Sequence, residues 1–136
     1  MNPAAVEVGD VIGPERRVCP DAAMVGAYAA GHDVQESLFV DRAFAQRVGY
    51  RDVIVPGPMQ TAFLEQLVRR HFPGWELERL STTFRISVVS SDTIELSGVV
   101  TEVHPLPDGA RVDCDLVIEN SDGERTTTGH ATLRHG

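Results

Sequence analysis

Apolar and polar positions follow two periods along this chain, and the change from one to the other comes after a single helix. A β-branched run, Val53-Ile54-Val55, is cut by Pro56-Gly57-Pro58, after which apolar residues fall at Met59, Ala62, Phe63, Leu67 and Val68. That spacing predicts a helix over about residues 57–70 with one apolar face. Pro58 suits the first turn, where a missing N–H costs nothing, and Arg69, Arg70 and His71 occupy the end that favours positive charge. Pro73-Gly74 stops the helix.

Downstream, strict alternation takes over. Leu77 to Val89, Thr93 to His104, Arg111 to Asn120 and Arg125 to Arg134 read as four strands, with turns at Ser90-Ser91-Asp92, Pro105 to Gly109 and Ser121-Asp122-Gly123. From Arg111 to Leu116 the odd positions are polar and the even ones apolar, so one face of that sheet is wet and the other covered. The cover is the helix. Upstream, residues 1–14 form an arm and Glu15 to Cys19 a short strand. Asp21 then caps a helix with Met24, Val25 and Tyr28 on one side, ended by Gly31. His32 to Phe39 lacks a period and reads as loop, and Asp41 caps a two-turn helix carrying Ala43, Phe44, Ala45 and Val48.

Composition narrows the classes. The 136 residues make one domain, 1–136, of α+β class, an antiparallel sheet wrapped around the central helix. A net charge of -8 offers no basic stripe for phosphates and excludes nucleic acid as an expected partner. No apolar run approaches the roughly 20 residues that span a bilayer, and the N-terminus is acidic where a signal peptide would be positive, so a cytoplasmic protein is expected. Cys19 and Cys114 lie far apart and read as buried thiols; Cys114, between Asp113 and Asp115, is a poor nucleophile. His32, His71, His104, His130 and His135 show no HxxxH or HxH spacing, so no metal site and no cofactor are expected. The helix start, with free N–H groups behind a glycine, is suited to a carbonyl or an anion.

The stretch YAAGHDVQESLFVDRAFAQRVGYRDVIVPGPMQTAFL, residues 28–64, resembles the MaoC-like hydratase/dehydratase family of the hot-dog fold. A weaker likeness continues at Ser90-Ser91-Asp92-Thr93, where that family has a Pro-x-x-Gly-Asp-x turn. The resemblance implies binding of an acyl thioester of coenzyme A or acyl carrier protein, and assembly as a homodimer or as a heterodimer with another hot-dog chain. In active members a G-D-x-N-P-x-H loop supplies an Asp and a His that handle the water, and N–H groups at the start of the central helix hold the thioester carbonyl.

Counted back from Val40-Asp41, the His slot of that loop holds Phe39 and the Asp slot holds Val34; one inserted residue brings Asp33 into it, and Glu36 and Ser37 fill the Asn and Pro slots. A phenyl ring moves no protons. The resemblance is therefore nearest to the non-catalytic member of paired hot-dog dehydratases, which shapes the acyl tunnel for a partner. Should the chain be catalytic, Asp33 with His32 are its expected acid and base, against the plainer reading of a turn former and an exposed imidazole. Gly57 and Met59 are the expected carbonyl holders, Pro58 lacking a donor, with Pro56, Phe39 and Phe63 at the acyl group. Two alternatives stand beside this reading. One is a hot-dog thioesterase using a carboxylate near the helix, for which Glu65 and Gln60 on the central helix are the residues that matter, although Glu65 points away from the apolar face; the other is a binding module without turnover.

Overall fold

The computed structural model describes residues 1–32 and 36–136. Five strands, β1 (Val11–Val18), β2 (Glu76–Phe84), β3 (Thr93–Leu106), β4 (Gly109–Glu119) and β5 (Arg125–His135), form one antiparallel sheet in the order β1-β3-β4-β5-β2. Helices α1 (Ala22–Gly31), α2 (Ser37–Val40) and α3 (Arg42–Arg47) precede the long helix α4 (Gly57–His71), which packs on the sheet through β1, β2 and β3. This is the hot-dog fold.

Alternation explains the sheet's two faces. Ala110, Val112, Cys114, Leu116 and Ile118 of β4 are all buried, and the intervening residues are more open. With Ile94, Leu96 and Val100 of β3 and Ala131 and Leu133 of β5 they line the inner face. Against it α4 buries Met59, Gln60, Phe63, Leu64, Leu67 and Val68. The expected stripe is thus shifted: Ala62 is exposed and Leu64 takes its place, because the buried arc is centred on the i, i+4 pairs Gln60/Leu64 and Leu64/Val68. Helix and sheet meet closely at Gly129, where a Cβ would stand 3.3 Å from Leu64 Cδ1.

Both expected N-caps are present, Asp21 accepting from the Met24 N–H at 2.9 Å and Asp41 from the Phe44 N–H at 3.1 Å. On α1, Val25 and Ala29 are buried and Met24 is not. Several boundaries differ from those the pattern predicts. β1 begins at Val11, earlier than expected, because Ile12 pairs with Gly98 before a register shift at Gly13-Pro14. Ser37 to Phe39, expected as loop, join Val40 in a single turn closed by the Asp41 N–H on the Ser37 carbonyl at 2.8 Å. β2 stops at Phe84 instead of running to Val89, since the Arg85 and Ile86 N–H groups both turn to the Thr126 carbonyl and the chain leaves the sheet. β3 runs through Pro105 to Leu106, beyond the expected turn; its pairing with β1 ends at Val99, so the missing N–H of Pro105 faces an edge with no strand to bond.

One irregularity in β3 matters below. Val100 pairs with Cys114 and Glu102 with Asp113, leaving Thr101 as a bulge. Up to Val100 the even-numbered residues face inward. Beyond the bulge Glu102 and His104 lie on the outer face and Val103 inside.

Candidate functional site

The start of α4 is fixed by three strips of backbone. Val55 N–H donates to Val88 O at 2.7 Å and Ser90 N–H to Val53 O at 2.9 Å, so residues 53–55 run beside 88–90 as a small ladder anchored by the Ile54–Val89 bridge. The Ile54 N–H points the other way, to Leu38 O at 2.9 Å, and so fastens α2 beside the helix start. Tyr50 Oη adds a 3.2 Å bond to Ser87 Oγ. Val53, Ile54, Val55 and Pro56 are all buried, so the helix is entered from inside the protein.

Pro56 is the N-cap, and its carbonyl accepts from both Met59 N–H at 3.1 Å and Gln60 N–H at 3.2 Å. A ligand carbonyl would have to share the Met59 donor with that bond, and Pro58 contributes none. Gly57 is the position where side-chain absence matters: a Cβ there would lie 2.8 Å from the ring of Phe84, the last residue of β2. Phe84 itself is half-exposed, and it roofs the helix tip with an apolar edge.

Below the tip lies a polar cluster centred on Gln60. Gln60 is 4 % exposed, yet Thr127 Oγ1 donates to its Oε1 at 2.5 Å and its Nε2 donates to Val55 O at 3.1 Å. Thr61 Oγ1 lies 3.0 Å from Thr82 Oγ1 and donates to Gly57 O at 3.2 Å. A glutamine on the apolar side of a helix pattern was the available signal, because a buried amide needs partners and so marks a designed contact.

The expected acid and base are placed differently. Asp33 lies outside the described residues. His32 ends α1, its ring stacked on Tyr28 at 4.1 Å between centroids, with Nδ1 2.9 Å from Tyr28 O. A carbonyl only accepts, so Nδ1 carries the proton and Nε2 of the neutral ring holds the free lone pair. All these partners of His32 belong to α1, and none belongs to the tip of α4. Phe39 is half-buried on α2, next to the Leu38 carbonyl that holds Ile54. Phe63 is buried one turn below the tip, with the Arg17 guanidinium 4.2 Å over its ring. Pro56, Gly57 and Met59 therefore form one cluster, and His32 stands apart from it in its contacts.

Glu65 pairs with Arg69 at 3.5 Å on the solvent side of α4, as its position relative to the apolar face implied. Burial pushes both thiols up to about 12, with Asp92 adding to the effect at Cys19 and Asp113 and Asp115 at Cys114, so neither is a nucleophile near neutrality. At the turn before β3, Ser91 takes a φ of 63°, where the resembling family has glycine, and Asp92 beside it binds Arg51 at 3.1 Å. The larger described groove, about 610 Å³, is on the outer face of the sheet between Ser81, Thr83, Val99 and Thr128 and does not reach Gly57. No described helix is long and apolar enough to cross a membrane.

No protein-family model matches the sequence, and no curated relative matches it significantly. Solved structures do match its fold. The (R)-hydratase from A. caviae involved in PHA biosynthesis superposes with a TM-score of 0.83 at 22% identity, over 97% of this chain and 98% of that one. The MaoC-like dehydratase from Rhodospirillum rubrum gives 0.83 at 21%, over 98% and 94%. The ChsH1-ChsH2 complex from Mycobacterium tuberculosis gives 0.80 at 20%, over 97% and 100%. The chain thus has the hot-dog fold found in MaoC-like dehydratases and (R)-hydratases.

Proposed function

We propose that the chain binds an acyl thioester of coenzyme A or acyl carrier protein and serves in enoyl-thioester hydration or 3-hydroxyacyl-thioester dehydration as the substrate-holding member of a hot-dog pair. The single observation that carries this reading is the tip of α4. Its entry is buried, its first residue is a glycine under the Phe84 ring, and α2, fastened beside it, holds Phe39 where the resembling family has histidine. Amide groups at that tip polarise the thioester carbonyl, and charge developing on its oxygen in the enolate is met by preorganised donors. Water is activated by an Asp and a His of the second chain.

Sheet topology supports the pairing. β2 is an edge strand, and its last residue is the half-exposed Phe84 that roofs the tip; a second hot-dog chain beside that edge would close the space over Gly57. A neighbour in fold is itself a complex of two named chains, ChsH1 and ChsH2.

The test is co-purification with a hot-dog chain bearing Asp-x-Asn-Pro-x-His, followed by the loss of enoyl-thioester absorbance on hydration. The expected result is no turnover by this chain alone and turnover by the pair. Hydration by the chain alone that disappears in Asp33→Asn or His32→Ala would replace the paired reading with a self-contained hydratase. Release of free thiol dependent on Glu65 would replace it with thioester hydrolysis, and tight thioester binding without turnover in any mixture would leave a binding module.

A further inference from the structure

The outer face of the sheet, opposite α4, carries a cluster of carboxylates and imidazoles drawn from three strands. The bulge at Thr101 turns Glu102 and His104 of β3 outward, opposite Asp113 and Arg111 of β4. His104 Nε2 is 3.0 Å from Glu102 Oε2 and 3.4 Å from Asp113 Oδ2. One ligand atom from each of the three residues lies within 4.8 Å of the other two. From β5, His130 places Nε2 3.3 Å from Asp113 Oδ1 and Nδ1 3.3 Å from Asp115 Oδ1.

Three features of this cluster point to a cation. The separations of the imidazole nitrogen from the two carboxylate oxygens match the edge of about 3.3 Å that a tetrahedral ion with bonds of about 2.0 Å requires. Asp113 divides its oxygens: Oδ1 accepts from the Thr132 hydroxyl at 2.7 Å and faces His130, while Oδ2 is turned to His104. That is the outer-shell support a ligating carboxylate needs. Lastly, among the described residues no guanidinium reaches Glu102, Asp113 or Asp115; Arg111, the nearest along β4, is engaged with Glu78 at 2.9 Å. The chain has no lysine, so among the described residues the ionisable groups that face these three carboxylates are imidazoles.

We propose that Glu102, His104 and Asp113 bind a divalent first-row transition ion. A mixed imidazole and carboxylate set suits Zn²⁺ and its neighbours; the imidazole argues against Ca²⁺ or Mg²⁺, which take oxygen. The ion binds His104 through the Nε2 lone pair of the neutral ring, whose one proton is then on Nδ1; any proton held at Nε2 before binding leaves to solvent. Water fills the remaining position. The expectation of no metal site rested on spacing along the chain, and this set is assembled across a β-hairpin and a bulge.

The test is equilibrium dialysis of Zn²⁺ against the purified chain carrying no histidine tag, with Co²⁺ absorbance as a second readout. One ion per chain is expected, with affinity falling at least about tenfold in His104→Ala and in Asp113→Asn and unchanged in His32→Ala. His104 is an exposed side chain, so far-UV dichroism of its variant checks that the fold is kept. A rise of melting temperature with Zn²⁺ that is lost in His104→Ala would agree. Failure to take up Zn²⁺ at about 100 μM, or uptake indifferent to both substitutions, would overturn the proposal.

Discussion

Thr127 on β5 and Gln60 on α4 are joined by a hydrogen bond of 2.5 Å across the buried boundary between sheet and helix. Gln60 in turn holds the Val55 carbonyl just before the helix begins, so three segments are tied through one amide. Thr127→Val is expected to cost about 1–3 kcal/mol because it leaves the Gln60 oxygen buried without a donor. Adding Gln60→Leu should recover part of that loss. Urea midpoints of the two single variants and the double variant give the coupling, and strict additivity would show that the bond is not the source.

The Gly57–Phe84 contact separates a role in binding from a role in folding. In Gly57→Ala the new methyl meets only the far edge of a half-exposed ring, which can swing aside, so stability should change by less than about 1 kcal/mol. Enoyl-thioester binding, followed by calorimetry on the assembled pair, should weaken at least about tenfold. Unchanged affinity would remove the helix tip from the proposed site.

Ser91 adopts a left-handed backbone at φ 63°, a conformation that costs a side-chain-bearing residue about 1–2 kcal/mol. Glycine relieves this but is more disordered when unfolded, by about 0.5–1 kcal/mol. Ser91→Gly should therefore raise stability by up to about 1 kcal/mol in thermal or chemical denaturation. A fall would mean that the serine side chain makes up for the strain.

Acid should weaken the fold through two carboxyls. At Asp92 burial acts upward, but hydrogen bonds from Ser121 and Arg51 outweigh it and hold the group below the ordinary range. Asp113 is held low first by the Thr132 hydroxyl and then, against some burial, by His130 and His104. A depressed folded-state pKa means that the unfolded chain binds more protons in the interval below the ordinary Asp value of about 3.9. The stabilisation is whole above that value and is lost as pH falls through the folded-state pKa. Urea midpoints from pH 6 to 2 should fall less steeply in Asp92→Asn than in the parent; parallel curves would contradict the assignment.

Both cysteines should resist thiol reagents until the protein opens. Burial deprives each of its thiolate at pH 8, so labelling with an aromatic disulfide should be slow in buffer and reach two groups per chain in urea. Fast native labelling of Cys114 would mean that the inner face of β4 is open to solvent.

Much of this architecture was legible because its signals are local. Asp21 and Asp41 cap helices through their own side chains three residues on, and the alternation around Cys114 reports a sheet covered on one side whatever lies further along the chain. What escaped depends on distant partners. Phe84 ends its strand because Thr126 captures the next two N–H groups, and Ser37–Val40 coils into a turn with no period to announce it. At the site, the Pro56-Gly57-Pro58 break located the helix tip, but the roof over it comes from a residue 27 positions later, as the contact between Gly57 and Phe84 records. The spacing of histidines likewise cannot see His104 and Asp113 meet across a hairpin.

The extra residue at Thr101 makes β3 two strands with separate tolerances. Removing one residue anywhere from Ile94 to Val99 would reverse the facing of every neighbour up to the break and expose core side chains. Deleting Thr101 itself would leave Val100 inward, Glu102 outward and Val103 inward, as they already stand. That position is thus a slack point where the gene can lose a codon without inverting the sheet, and the histidine–carboxylate edge beyond it would survive the loss.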